Sequence, residues 1–296
     1  MAETTTSSTI HAAPTRATLF LRKYPPLVVG AAAFVLLTLL VAIGADLLAP
    51  FHYTTQDLAN RLKPPAFMGG PTAYWLGTDE LGRDLLSRLL YATRFSILIA
   101  IVGTTISAVL GTLLGFIAAH FRGWVEEAVM MLVDAQASLP FILLALAVLA
   151  FFGNSLTLFI IILGINGWET YARLTRSMVI AANTQGYAVA VRALGATPMT
   201  IYGRHILPNI ASILIVQYTL NFPATILLET SMSFLGLGIQ PPLTSLGQML
   251  GSGRAHLLSA WWIAILPGLV IFLTTLSISI LGDWLRDRFD PTLRNR

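Results

Sequence analysis

The chain has 296 residues, 55% of them hydrophobic and only 11% charged, and it carries a net charge of +4. Soluble domains hold about 25% charged residues, so an ordinary water-soluble domain is excluded and a polytopic membrane protein is expected. Cysteine is absent, which excludes a disulfide framework and thiol chemistry. The modest charge, without basic–aromatic clusters, excludes nucleic acid as a partner.

Residues 1–24 are polar and rich in Ser, Thr and Ala, and they read as a disordered cytoplasmic tail. They are too polar to open a signal peptide, and the apolar run behind Pro25-Pro26 is too long for a cleaved one. Leu27 to Leu48 is the first span, near the ~20 residues a helix needs to cross the hydrocarbon layer, with Asp46 at its far end. A Pro- and Gly-containing connector follows, Phe51 to Trp75. From Gly77 to Ser96 the leucines 81, 85, 86, 89 and 90 fall on one helical face, while Asp79, Glu80, Arg83, Asp84 and Arg88 avoid it. The spacing predicts an amphipathic interfacial helix whose charges form a solvated face.

Ile97 to Ala119 is the second span, where Gly111 and Gly115 form a small-xxx-small pair suited to close helix packing. A polar turn is expected over His120 to Glu127, then a third span, Ala128 to Phe152, with Pro140 inside it. Asp134 lies near one end of that span, so it either lines a pathway or makes a structural hydrogen bond. Leu156 to Trp168 is a short fourth span ending near Glu169. Ile210 to Phe234 is the fifth, with Pro223 inside and Glu229 a turn or two from its far end, a second candidate for a translocation path. Residues 236–253 read as a Gly- and Pro-rich loop. Trp261-Trp262 mark a membrane interface, and the sixth span, with Pro267, runs to Leu281.

Between the fourth and fifth spans, Gln185 to Asn209 forms a basic island with no acidic residue. Tyr187 to Leu194 favours helix, and Gly195 stands where a C-terminal cap needs positive φ. Thr197 can cap a second short helix with Pro198 at its first position, and Pro208 is expected to stop or kink it. Val191, Leu194, Met199, Tyr202 and Ile206 supply apolar groups that could dock into a partner. An ordinary basic cytoplasmic loop is the bland alternative. With the N-terminus inside, the inner segments hold two thirds of the 18 lysines and arginines. The positive-inside rule therefore predicts six spans, N-in and C-in, with this stretch in the cytoplasm.

Four stretches carry a family resemblance. Gly77 to Arg88 holds every fixed position of the Gly-Thr-Asp-x-x-Gly-Arg-Asp-x-x-Ser-Arg signature of the dipeptide/oligopeptide/nickel branch of ABC importer permeases. Ala190, Gly195, Leu207 and Pro208 are in register with the EAA loop of these permeases, while Val189, Val191 and His205 depart from it. Phe234 to Pro242 resembles the branch's Phe-Leu-Gly-x-Gly-x-Gln-Pro-Pro, though Thr244, Ser245, Leu246 and Gly247 stand where Pro-Glu-Trp-Gly is common. The tail, Gly282 to Pro291, also matches.

The resemblance implies an all-α type I ABC importer permease fold in the bacterial inner membrane, the C-type permease subunit of its system. It divides the chain into the tail 1–24, a first helix and periplasmic connector over 25–76, and a transmembrane domain over 77–285. Residues 173–208 of that domain form its cytoplasmic coupling loop, and residues 286–296 are a cytoplasmic tail. It implies that Tyr187, Ala190, Arg192, Leu194, Gly195, Ala196, Met199, Tyr202, Arg204, His205, Leu207 and Pro208 couple the permease to an ATPase. The implied partners are a second related permease, two cytoplasmic ATPases, a periplasmic or lipid-anchored solute-binding protein and membrane lipids. The implied cargo is di- or oligopeptides, with nickel, glutathione-like molecules or metal chelates as alternatives.

No catalytic constellation is legible. Neither Lys23 nor Lys63 follows a phosphate-binding Gly-rich loop, the histidines are scattered without zinc-ligand spacing, and no serine occupies a nucleophile elbow. A non-catalytic chain without cofactor or metal is expected, with ATP and Mg²⁺ held by partner ATPases. The competing class is a secondary transporter or channel with no ATPase, which would place ionisable groups near the midplane.

Overall fold

The computed structural model describes residues 25–289, so the expected N-terminal tail and the end of the C-terminal tail lie outside the described residues. Those described are helical apart from turns and one isolated bridge between Thr78 and Asp84. Helix α1 is Pro26–Leu48, with Pro26 at the first position, where its missing N–H costs nothing. Helix α2, Leu85–Phe121, runs 37 residues. It is followed by α3 (Gly123–Ser138), α4 (Phe141–Phe152), α5 (Leu156–Ile165), α6 (Trp168–Asn183) and α7 (Gly186–Ala193). Helix α8 is Pro198–Phe234, α9 is Leu246–Gly253 and α10 is Trp262–Phe289.

Among the described residues, α1, α2, α8 and α10 are long and apolar enough to cross a membrane, and α3 with α4 makes a fifth span if the bent pair counts as one. The expected third span is broken, because α3 and α4 meet at 89°. Pro140 disfavours helical φ/ψ at Leu139 and cannot donate to the preceding turn. The expected fourth span, Leu156 to Trp168, holds a shorter helix. Helix α5 has 10 residues, about 15 Å of rise, and the chain turns at Gly167, whose φ is +87°, before α6 begins.

The interfacial helix expected from Gly77 starts only at Leu85, with Asp84 as its cap. The expected polar turn at 120–127 narrows to Arg122-Gly123, and the glycine-rich loop after Phe234 contains α9, with Leu246 and Met249 buried. Helix α10 continues to Phe289, beyond the expected end of the span.

Helices α1, α2, α8 and α10 alternate in direction. Their ends at 26, 121, 198 and 289 therefore share one face, and their ends at 48, 85, 234 and 262 share the other. Packing is tightest between α2 and α6. A side chain at Gly115 would stand 2.6 Å from the carbonyl of Ala172, and one at Gly111 would strike the carbonyl of Trp168. The expected close packing of this pair is thus realised against α6. One apolar cluster (Leu85, Phe222, Ile226, Met249, Trp262, Ile263) fills the space at the 85/262 face. Another (Ala119, Val179, Ile201, Ile206, Ile210) anchors the face that carries α7.

Candidate functional site

The stretch from 185 to 209 folds as two short helical pieces around a glycine. At the end of α7 the N–H of Gly195 bonds the carbonyl of Arg192 at 3.0 Å, and the N–H of Ala196 bonds that of Val191 at 3.3 Å. This pair of bonds is the Schellman cap, which requires a left-handed residue, and Gly195 has φ +80°. No atom lies within 4 Å of where a Gly195 side chain would start, so the constraint there is backbone conformation and not space. Thr197 then caps α8, its hydroxyl accepting the N–H of Thr200, with Pro198 at the first position.

Of the two outcomes expected at Pro208, a stop or a kink, the helix does not stop. The turn over Ile201–Ile206 widens, and Leu207 N–H reaches back five residues to the Tyr202 carbonyl. The wide turn relieves the clash a proline ring makes one turn behind itself. The Asn209 side chain donates to the His205 carbonyl at 2.7 Å, satisfying a group near the irregularity.

The apolar residues of this stretch divide into two sets. Leu194 and Met199 are 87% and 83% exposed. Ile201 and Ile206 are buried, and Tyr187, Val191, Ala196 and Tyr202 pack against the same cluster as Ala119, Val179 and Ile210. The Tyr202 ring lies 5.6 Å from that of Phe116, and its hydroxyl is 3.0 Å from His120 Nδ1. Of the apolar set expected to dock, Val191, Tyr202 and Ile206 therefore bind the tip to its own body, and only Leu194 and Met199 point away. Arg192 donates to Asn183 Oδ1 at 2.9 Å. Ala190, Arg204, Leu207 and Pro208 are exposed and His205 is half-buried.

The two candidate path acids are not brought together. Asp134 is exposed on α3 and accepts from Arg173 of α6 at 2.9 Å. Glu229 is fully buried on α8. It accepts the hydroxyls of Ser233 at 2.8 Å and Ser96 at 3.3 Å, and Ser96 in turn accepts the Leu246 N–H at 3.1 Å. Glu229 thus ties α8 to α2 and to the start of α9.

On the opposite face, sequence reasoning missed a buried ionic knot. Asp79 and Arg88 were expected on a solvated surface, yet they are 0% and 2% exposed. Asp79 accepts the N–H groups of Leu81 and Arg83 at 2.8 and 2.9 Å, Arg83 Nε at 2.6 Å and Arg88 Nη1 at 2.5 Å. Gly82, at φ +71°, turns the chain so tightly that a side chain there would strike the backbone of Asp57. Asp84 accepts the N–H of Ser87 at 2.7 Å and its hydroxyl at 2.6 Å. Burial pushes the Asp84 carboxyl above the usual carboxylate range, against the pull of the Ser87 bonds. Trp262 Nε1 donates to the Thr78 carbonyl at 3.2 Å, fastening this turn to α10. The signal was available in the two glycines, Gly77 and Gly82, that bracket the charges and favour a turn over a helix.

Residues 111–295 match the family described as binding-protein-dependent transport system inner membrane component. Residues 19–65 match the N-terminal TM domain of oligopeptide transport permease C. The chain is 41% identical over 267 residues to the di/tripeptide transport system permease protein DppC of Pseudomonas aeruginosa, covering 90% of this chain and 88% of that one. It is 37% identical to the glutathione transport system permease protein GsiD of Pectobacterium atrosepticum, covering 93% and 90%. Among solved structures it is similar to an inward-facing form of the MetNI methionine ABC transporter, with TM-score 0.57 and 19% identity, covering 70% of this chain and 98% of that one.

Proposed function

The chain belongs to the binding-protein-dependent transport system inner membrane components, and on that premise we propose that it is one permease of an ATP-driven importer of short peptides, glutathione-like peptides included. It crosses the bacterial inner membrane with N- and C-termini inside, the broken α3–α4 and α5–α6 units counting as its third and fourth passages. A second, related permease completes the path, a solute-binding protein delivers cargo outside, and two ATPases hold ATP and Mg²⁺ in the cytoplasm. This chain contributes no catalytic residue.

One observation carries the coupling role: the helix–glycine–helix tip that presents Leu194 and Met199 to solvent while Ile201, Ile206 and Tyr202 at the start of α8 are keyed against α2 and α6. Two bare apolar side chains suit a cleft on a partner, and the buried anchors make the tip a lever instead of a tether. Movement imposed at Leu194 reaches α2 through the Tyr202–His120 and Tyr202–Phe116 contacts. ATP-driven closure of the ATPases would pull the two tips together and open the path outward, and hydrolysis would reset it. Asp134, exposed beside Arg173, and Glu229, buried between α8 and α2, are the candidate path acids.

Leu194→Asp with Met199→Asp tests the reading, because both positions are free of internal packing. Capture of the co-expressed ATPase should fall at least tenfold, and dipeptide uptake with it, with membrane abundance unchanged. Undiminished capture would place docking elsewhere and favour a transporter that works without an ATPase.

A further inference from the structure

Beside the coupling tip, where α2 ends, lies a cleft of about 420 Å³. His120 and Arg122 line it from the end of α2, Asn183 from the end of α6, Arg192 from α7 and Tyr202 from α8. Among the described residues no carboxylate lines it, and no ion pair engages Arg122 or Arg192. This contrasts with the neighbouring arginines of α6, since Arg173 is matched by Asp134 and Arg176 by Glu126. The Arg192 bond to Asn183 engages a neutral amide oxygen and leaves its charge unbalanced. The Tyr202–His120 bond holds the wall between the two arginines.

The surroundings set the depth of this cleft in the membrane. Phe121 and Trp124, on either side of the Arg122-Gly123 corner, are 65% and 79% exposed. Exposed aromatics at the end of a spanning helix mark the headgroup level. Below them on α2, the exposed apolar residues Val109, Leu113, Ile117 and Phe121 recur every fourth position, a single stripe leading up to Arg122. Arg122 itself has φ +50° and ψ −169°, near a region that ordinarily only glycine enters. This corner keeps the arginine next to the cleft.

We propose that the cleft binds the headgroup of an anionic phospholipid, its phosphate held between Arg122 and Arg192 and its acyl chains lying along the α2 stripe. Guanidinium groups match phosphate oxygens in pairs, and basic pockets between helices at the cytoplasmic side suit such headgroups. The lipid would bridge the end of α2 to α7, so the coupling tip would be braced by the bilayer as well as by protein.

The test is native mass spectrometry of the full-length chain in mild detergent with added dioleoylphosphatidylglycerol, dioleoylphosphatidylcholine or inorganic phosphate. The wild type should retain phosphatidylglycerol on the order of tenfold more strongly than phosphatidylcholine and should form no adduct with phosphate alone. Arg122→Gln with Arg192→Gln should remove that preference. The double Lys variant should keep most of it, which separates charge from misfolding, and Arg254→Gln on the opposite face should change nothing. Equal retention of the two lipids, or a preference that survives the double Gln variant, would overturn the proposal. A phosphate adduct without lipid preference would also overturn it, in favour of a free anion. Loss of ATPase capture in the double Gln variant with lipid retention unchanged would assign the arginines to an acidic partner instead. The lipid measurement needs no ATPase, so its outcome is independent of the importer reading.

Discussion

The two ends of this molecule use glycine for opposite purposes. At the rim formed by residues 77–88 and α9, glycines are there for lack of room, Gly77 and Gly82 being left-handed as well. A side chain at Gly247 would stand 2.7 Å from Thr230 Cα, one at Gly253 2.8 Å from the Ala264 N, and one at Gly77 2.6 Å from the Lys63 carbonyl. At the tip formed by residues 185–209, Gly186, Gly195 and Gly203 have no neighbour within 4 Å. The rim is a knot of buried charge and touching backbones, whereas the tip is an open lever fixed by its anchors and by one left-handed residue. Rigidity at the rim thus comes from density, and at the tip it comes from covalent geometry.

The largest effect expected on this contrast comes from the rim. Asp79→Ala would leave Arg88 and Arg83 without their shared carboxylate, and breaking one side of a buried pair costs about 3–5 kcal/mol. The expected outcome is a marked loss of monodisperse protein in detergent and a collapse of the melting transition. A variant that melts like the wild type would show that the knot is solvated and that the rim is not rigid for this reason. Next in size is a pair of alanines. Gly247→Ala should cost about 1–3 kcal/mol by overpacking against α8. Gly186→Ala, with open space around it, should be neutral or stabilise by about 0.5–1 kcal/mol through reduced freedom of the unfolded chain. Equal melting temperatures for the two would erase the distinction.

Gly195→Val carries the comparison to function. A β-branched residue at φ +80° costs on the order of 1–3 kcal/mol, but nothing crowds it, so the strain can relax by re-aiming the Leu194–Met199 tip. Dipeptide uptake should fall severalfold while abundance and melting temperature change little. Uptake at the wild-type rate would show that the left-handed corner does not set the lever's direction.

How far the sequence foretold this can be judged from the same two regions. The tip was legible because its signals are local: Gly195 capping, Thr197 and Pro198 starting the next helix. The division of its apolar residues was not legible, since Ile206 and Met199 look alike until tertiary packing buries one and exposes the other. The rim was misread because its charges avoid a leucine face at helical spacing, a pattern equally available to a turn whose carboxylate gathers donors inward. The break at Pro140 was hidden by hydrophobicity, which resumes beyond the corner in Phe141–Phe152. Pro208 predicts a stop or a kink, and one widened turn before it lets the helix continue. Helix α9 was read as loop because glycine at a close approach is indistinguishable, in sequence, from glycine in a turn.

The smallest predicted effect sharpens the claim that the rim is dry. Asp84 caps α2 through one oxygen, while its other oxygen, Oδ1, is buried with no well-formed hydrogen bond among the described residues. Desolvation raises its carboxyl above the usual value, and the nearby Asp79 adds to the rise. A carboxyl raised in the folded state gives its full stabilising contribution below the ordinary carboxylate pKa. That contribution is lost as pH climbs through the raised value. Asp84→Asn retains an oxygen to accept the Ser87 N–H, since Asn and Asp cap comparably, and it carries no charge to desolvate. The variant should therefore gain on the wild type as pH rises from the ordinary carboxylate range upward. Melting curves of both proteins in one detergent across that range would show the gap widening. A gap that stays constant with pH would mean that Asp84 is as well hydrated as a surface carboxylate and that water enters the rim at the start of α2.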